Sequence, residues 1–522
     1  MTSAGPSFSA ARQKNNTGKL AALGIWILIA YAIVRSLVAA ASKPFWYDEV
    51  FTLIVARQPS LSAIWRALAQ PADSYPPPFY LGERAVAALL HNPQVGFRLP
   101  AIFGFACTLV FVSLFVKRRS SPPYALLCTS MLLLTVAYTT YAVEARAYGL
   151  FVACIALALL CYQRASEPRW LVLMGFSLAG AEALHYYAVF ALVPFGLAEI
   201  ALYLSTRRLR LGVWLALACG LVPLAVFWPL LSAFKKYYGG HIWAGPTLRS
   251  TGTTYGWFFH ISASPYRWNL VIAAAVTLFL LGAPATLAIR RVRAALMEDR
   301  HFHEHVLVWA LLGLPFVAYA ATKLAHGGLD HRYVLESVLA IPLGAGYILP
   351  RLDRRIALLL AILLLSILAV QEARFWASER GHFDKVVSPV ASVEGIVNLA
   401  GHPDLPVVVS DAGEFLPFVY YAPPDLARRF VDVVDPQQAV AYIGHDTMDK
   451  NLLALRAYYP LQVYDFQAFV SDHPSFLLYS SGKIGWEWLP RRLADDHGYS
   501  LEVLAAEEGR NVYLVTRKGS SP

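Results

Sequence analysis

The sequence predicts a polytopic α-helical membrane protein of about eleven transmembrane helices, followed by a C-terminal soluble α/β domain. Three observations carry this. Of 522 residues, 57% are hydrophobic and only 15% charged, whereas a soluble chain would carry about 25% charged residues. The apolar residues gather in blocks of roughly 17–21, the length that lets a helix cross the hydrocarbon core. After Gln371 these blocks stop, and short strand patterns alternate with helical ones.

Taken in order, residues 1–19 form a basic N-terminal tail with Arg12, Lys14 and Lys19. The run Leu20 to Ala40 exceeds the ~7–15 residues of a signal-peptide core and is read as a retained first span. Residues 42–96 form an outer loop. Within it, Leu61 to Leu68 and Tyr80 to Leu90 have helical apolar spacing but are too short to span, so they are expected to lie along the surface. Further spans are expected at Phe97 to Val116, Tyr124 to Tyr141, Tyr148 to Tyr162 and Trp170 to Leu184. A sixth ends at Leu204, and the rest are Leu211 to Leu231, Leu270 to Ile289, Val306 to Thr322, Tyr333 to Leu349 and Ile356 to Gln371. The membrane unit is therefore residues 20–371.

The basic residues set the orientation. Their clusters lie at the N-terminus and near residues 117, 164, 207, 290 and 351, which all fall on one side. That side is the cytoplasm by the positive-inside rule. This pattern, rather than nucleic-acid binding, accounts for the net charge of +10. The outer side then collects Asp48, Glu49, Glu144, Arg146, His185, Arg332 and the tail. All five cysteines lie in apolar segments, so neither a disulfide framework nor a cysteine metal site is expected in the tail.

The tail, residues 372–522, reads as a folded extracytoplasmic domain. Strands are expected at Leu405 to Ser410, Ser475 to Tyr479, near Leu501, and at Val512 to Thr516, with helices up to Tyr420 and over Trp486 to His497. It contains no Gly-rich phosphate loop, and a lid or packing role is the expectation.

The chemistry centres on Phe45-Trp46-Tyr47-Asp48-Glu49-Val50-Phe51. Trp and Tyr suit a membrane interface, but two acids beside the bilayer are costly and invite a functional reading. Carboxylates, guanidinium groups and imidazoles on one outer face suit glycosyl transfer from a lipid-phosphate sugar. A phosphate leaves as a stable anion and needs charge neutralisation, which Arg supplies with its planar fork. The acceptor hydroxyl needs a base, usually Asp or Glu. One carboxylate acting directly on the acceptor implies a single displacement with inversion.

Several pieces match one family. These are Asp48-Glu49 after the first span, Tyr75-Pro76-Pro77-Pro78-Phe79-Tyr80, Arg98-Leu99-Pro100, Glu144-Ala145-Arg146-Ala147-Tyr148 and His331-Arg332-Tyr333. Over residues 20–370 the chain resembles the GT-C superfamily of polytopic glycosyltransferases, in the branch with protein O-mannosyltransferases and the lipid A aminoarabinose transferase. The resemblance implies a bacterial inner-membrane enzyme with a polyprenyl-phosphate sugar donor. The acceptor would be a glycolipid, a polysaccharide or a protein. Asp48 would be the base, with Glu49 supporting the site. Arg146, Arg332 and His331 are the candidates for the donor phosphate, and Glu144, Tyr148, Tyr75, Tyr80 and His185 for substrate contacts.

No metal or other cofactor is expected to be required. His326, Asp330 and His331, with Asp48, are the residues that would hold a divalent ion if one were bound. Glu144 and Arg146 have the simpler reading of a turn that pairs with itself. The competing functions are a lipid or polysaccharide transporter or flippase, with Glu182 and Glu336 as its mid-membrane charges, and an oligosaccharide ligase on the same fold.

Overall fold

The computed structural model describes residues 8–258, 301–380, 386 and 388–518. The expected span Leu270 to Ile289 and the cluster Arg290, Arg291 and Arg293 lie outside the described residues. The chain is a multi-pass helical bundle with an α/β domain packed on one end.

Five helical elements pack the start of the chain: α1 (Phe8–Ser42), α2 (Tyr47–Ala56), α3 (Leu61–Ala69), α4 (Pro77–Ala87) and α5 (Pro93–Lys117). Local chemistry sets their starts. The Ser60 side chain accepts from the Ala63 N–H at the head of α3, and Asn92 does the same for Val95 ahead of Pro93 in α5, the side-chain types that satisfy orphan helical donors. The helix α2 is apolar almost all round and buried on every face, because it lies between the bundle and the C-terminal domain.

Among the described residues, five helical segments are long and apolar enough to cross a membrane: Asn16–Ser42, Pro93–Lys117, Tyr186–Thr206, His331–Arg351 and Arg354–Glu379. Three expected spans are broken instead. Pro122–Leu134 bends by 62° into Val136–Val143, Leu211–Val226 by 57° into Trp228–Tyr238, and Phe302–Leu312 by 55° into Leu314–Ala325. The last two breaks fall beside Pro229 and Pro315, whose rings cannot continue the preceding turn. The helices Tyr148–Tyr162 and Pro168–Leu184 are shorter and complete the bundle.

The tightest crossing is between α5 and Tyr148–Tyr162. A Cβ added to Gly104 would sit 2.3 Å from the Gly149 carbonyl carbon, and one on Gly149 would sit 2.2 Å from the Ala101 carbonyl oxygen. Two backbones meet here without side chains, as small residues permit within membranes.

The two ends of the bundle differ in charge. At one end Glu304 accepts from Arg119 at 2.8 Å and from Tyr347, and Arg210 pairs with Glu199 at 3.1 Å. The expected basic clusters near residues 117 and 207 thus share one end. The opposite end carries Asp48, Arg146 and Arg332 and meets the C-terminal domain.

That domain has a six-stranded sheet in the order β3-β2-β1-β4-β6-β5. Its strands are β1 (Val407–Val409), β2 (Phe430–Val434), β3 (Val463–Asp465), β4 (Ser475–Ser480), β5 (Tyr499–Glu507) and β6 (Arg510–Arg517). The first four are parallel, and β5 and β6 form an antiparallel hairpin. Glu508 and Gly509 both take positive φ in its two-residue turn, as tight hairpins require. Polar bonds anchor the domain. The Phe45 N–H donates to the Tyr421 hydroxyl at 2.7 Å, Tyr238 donates to Asn451 at 2.6 Å, and Asn451 donates to the Tyr47 hydroxyl at 3.2 Å.

Candidate active site

Asp48 and Glu49 open α2, where the helix dipole favours negative charge. Consecutive helical residues point about 100° apart, so the two acids meet different surroundings. Glu49 turns inward. Arg98 Nε donates to its Oε1 and Nη2 to its Oε2, both at 2.7 Å, and both side chains are fully buried. The Ala145 and Trp46 N–H groups also donate to Glu49, at 2.8 and 3.2 Å. Arg98 spends its remaining donors on the carbonyls of Ala40, Lys43 and Pro44. This pair ties the end of α1, the head of α2, the start of α5 and the 144–146 turn together. Burial acts to raise the Glu49 pKa, but the Arg98 charge and hydrogen bonds outweigh it and hold it below the usual carboxylate range.

Asp48 faces outward. Its Oδ2 accepts from Arg332 Nη1 at 2.6 Å. Arg146 Nη1 donates to the Asp48 carbonyl oxygen and to Thr52 Oγ1, each at 3.0 Å, and to Asp73 Oδ2 at 2.8 Å. The Arg146 guanidinium also lies 4.2 Å over the Tyr75 ring, a cation–π contact. Both arginines retain a buried Nε–H without a hydrogen-bond acceptor.

Asp48 and Arg332 separate two cavities. The inner one, about 150 Å³, has Arg146, Tyr75, Tyr148, His185 and Asp73 among its lining groups. The outer one, about 390 Å³, lies between the bundle and the C-terminal domain and is lined by Trp46, His331, Trp243, Asp411 and Lys483 among others. Asp48 and Arg332 border both.

The remaining expected residues divide accordingly. His185 packs against Tyr75 and Tyr148, with ring centroids 5.2 and 5.9 Å away. Burial, with Arg146 and Arg332 adding to it, pushes its pKa down to about 3, so it is a neutral wall of the inner cavity. His331 borders the outer cavity instead. It bonds the Tyr141 hydroxyl at 2.5 Å, pairs with Asp330 at 3.0 Å and stacks on Trp257. Asp330 is held at about 2: burial alone would raise it, but His331 and Arg332 prevail.

Glu144, Glu49 and Tyr80 are not among the groups bordering either cavity. Glu144 is buried 3.6 Å from Lys43, and burial, opposed by Lys43, pushes it up to about 7. It does not pair with Arg146, which takes Asp73 instead. The Tyr80 hydroxyl accepts from the Tyr75 N–H at 3.3 Å. His326 is exposed at a helix end. Among the described residues no three His, Cys, Asp or Glu side chains are gathered as metal ligands.

Three participants escaped the sequence reading. Asp73 is one, although an acid just ahead of the Tyr-Pro run, in the same loop as Asp48, was a usable signal. Trp243 and Lys483 are the others, brought in from the 232–268 loop and the tail.

Together, fold and site define a class: a polytopic helical membrane protein whose acid–guanidinium cluster lies beneath an α/β domain. Comparison with solved structures narrows it. The chain superposes on ArnT from Cupriavidus metallidurans in the apo state with a TM-score of 0.56 at 14% identity, covering 95% of this chain and 98% of that one. On the same protein bound to undecaprenyl phosphate the TM-score is 0.52 at 15% identity, covering 94% and 98%. The chain therefore shares the fold of that protein along nearly its whole length. No protein-family pattern matches the sequence, and no curated protein is similar to it in sequence.

Proposed function

We propose that this chain is an inverting glycosyltransferase that moves a sugar from a polyprenyl-phosphate donor to an acceptor hydroxyl on the outer face of the bacterial inner membrane. The observation that carries the reading is the place of Asp48. Its carboxylate stands between an arginine-bearing cavity and a second, more open one. The ArnT fold, seen in one case with undecaprenyl phosphate, supports the donor class.

In this reading the donor phosphate enters the inner cavity. Arg146 Nε–H has no acceptor, and Arg332 Nε has only Asp330 at 3.6 Å, so both guanidinium groups can turn donors to phosphate oxygens. The acceptor hydroxyl approaches from the outer cavity. Asp48 takes its proton as the oxygen attacks the sugar carbon, and the phosphate leaves from the opposite face with its charge held by the two guanidinium groups. Glu49, already fully engaged, positions the helix that bears Asp48. The sides of the membrane follow from the basic end of the bundle facing the cytoplasm.

The test uses purified protein, a panel of undecaprenyl-phosphate sugars and a membrane extract supplying acceptors. Asp48→Asn should bind donor yet lose turnover, and the product should carry the inverted anomeric linkage. Full activity in that variant, or a retained linkage, would overturn the mechanism. A chelator arm reads metal dependence.

One observation favours the transporter as a second reading. Glu182 and Glu336 are buried in the bundle and their carboxylate oxygens have no hydrogen-bond partner, as in ion pathways. That reading predicts lipid translocation that Asp48→Asn leaves intact and Glu336→Gln stops.

A further inference from the structure

The C-terminal domain has a place where a ligand is expected on topological grounds alone. In its parallel sheet β1 leads to β2 and β3 on one side, while β4 returns to pair with β1 on the other. The strand order therefore reverses between β1 and β4. In open α/β sheets ligands bind in the crevice beyond the carboxyl ends of the strands at such a reversal. Here the two loops that form it are Ser410-Asp411-Ala412-Gly413 and Ser481-Gly482-Lys483.

These loops are built as a rigid rim. Buried Glu487 accepts from Ser410 Oγ at 3.0 Å, Ser480 Oγ at 2.7 Å and the Ser481 N–H at 2.6 Å, which fixes one loop against the other. Lys483 Nζ reaches Asp411 Oδ2 at 2.9 Å and Glu414 Oε1 at 2.7 Å. Beside them Trp486 lies 5.5 Å from Trp243 of the membrane unit and 5.5 Å from His445.

The crevice opens onto the Asp48–Arg332 pair, since Asp411, Gly413, Lys483 and Trp486 border the outer cavity together with Asp48. The cavity's fixed charges carry a negative surplus, Asp48, Asp330 and Asp411 against Arg332 and Lys483, whereas in the inner cavity Asp48 and Asp73 are balanced by Arg146 and Arg332. A negative surplus does not suit a phosphate. It suits a neutral ring with hydroxyl groups, because carboxylates accept from hydroxyls and indoles offer flat apolar faces. A further unmet group points the same way. The indole N–H of Trp46, which borders the cavity, is buried without a partner.

Resting on the glycosyltransferase reading, we propose that this crevice is the acceptor subsite and that it seats a neutral, hydroxyl-bearing sugar ring against Trp486 and Trp243, between the Asp411 carboxylate and Asp48. The acceptor is then a saccharide or glycolipid presented by its sugar, and the tail selects it.

The test is saturation-transfer NMR on the full chain in nanodiscs, with methyl glycosides of glucose, galactose and mannose and with glucose 1-phosphate as probes. Ring-proton saturation by at least one neutral glycoside is expected in the wild type. Trp486→Ala and Lys483→Met should each weaken binding roughly tenfold, the loss of one interface anchor, with undecaprenyl phosphate binding unchanged. Lys483 is half exposed, so its variant keeps the test readable if Trp486→Ala fails to fold. Saturation that is absent in the wild type, equal in wild type and both variants, or confined to glucose 1-phosphate overturns the subsite. Failure of the catalytic reading shows separately, as retained turnover in Asp48→Asn.

Discussion

Two adjacent carboxylates should give opposite phenotypes when neutralised. Glu49→Gln perturbs a pair with no solvent contact. Arg98 makes five hydrogen bonds, two to Glu49 and three to carbonyls. Glu49 accepts two more from the Trp46 and Ala145 N–H groups. A glutamine NH₂ in place of either oxygen sets donor against donor and leaves the Arg98 charge buried without its counterion. Breaking a buried pair on one side costs about 3–5 kcal/mol, a large fraction of the stability of an ordinary domain. Asp48→Asn touches a group at a cavity mouth, whose pair with Arg332 keeps some solvent contact, and should cost less stability than Glu49→Gln, while lowering kcat by roughly 10²–10⁴-fold. The assay is denaturant or thermal unfolding in detergent, with turnover normalised to folded protein. The pH arm has a definite sign. Because the folded pKa of Glu49 is lowered, its stabilisation is present above the unfolded value of about 4.3 and is lost as pH falls through the folded value. Wild-type stability in Glu49→Gln, or an unfolding penalty confined to Asp48→Asn, would refute the division of labour.

Other consequences are equally measurable. Arg146→Lys removes the forked contact of Nη1 and Nη2 to the two Asp73 oxygens, and kcat/KM should fall about 10–100-fold with donor KM raised. Gly149→Ala or Gly104→Ala pushes a methyl into backbone and should cost about 1–3 kcal/mol by overpacking, read as a lower unfolding midpoint. Glu144 has a raised folded pKa of about 7; its contribution to stability is full below about 4.3 and lost as pH rises through about 7, so Glu144→Gln should flatten the stability profile across that window. Glu83 is fully buried with neither oxygen partnered, and burial raises its pKa well above the usual range. Glu83→Gln should therefore gain stability relative to the wild type as pH rises above about 4.3, the wild type losing stability there as the buried carboxyl resists ionisation.

The sequence made the architecture and the acid pair legible because both rest on local signals. Span length and loop charge are properties of short windows, and Asp48-Glu49 stands out beside the first span. Which acid faces the cavity was not legible. It depends on Arg98, 49 positions away, reaching back to one carboxylate. The bends were missed because an average over apolar residues does not register Pro229 or Pro315 as interruptions. In the tail, β2 went unread because Asp432 splits its apolar run, and β3 is only three residues long. Asp73 is tied to the site only through Arg146, 73 positions away, a pairing that exists only in the fold.

The ion pair between Asp48 and Arg332 also bears on the order of events. The Asp48 carboxylate is held at 2.6 Å by the Arg332 guanidinium, and in the proposed reaction that contact must open for the carboxylate to meet the acceptor hydroxyl. In the proposed reaction the arriving donor phosphate is the partner that would draw Arg332 away from Asp48. Initial-rate kinetics with both substrates varied should accordingly show compulsory binding, donor before acceptor. Arg332→Ala should lose that sequence.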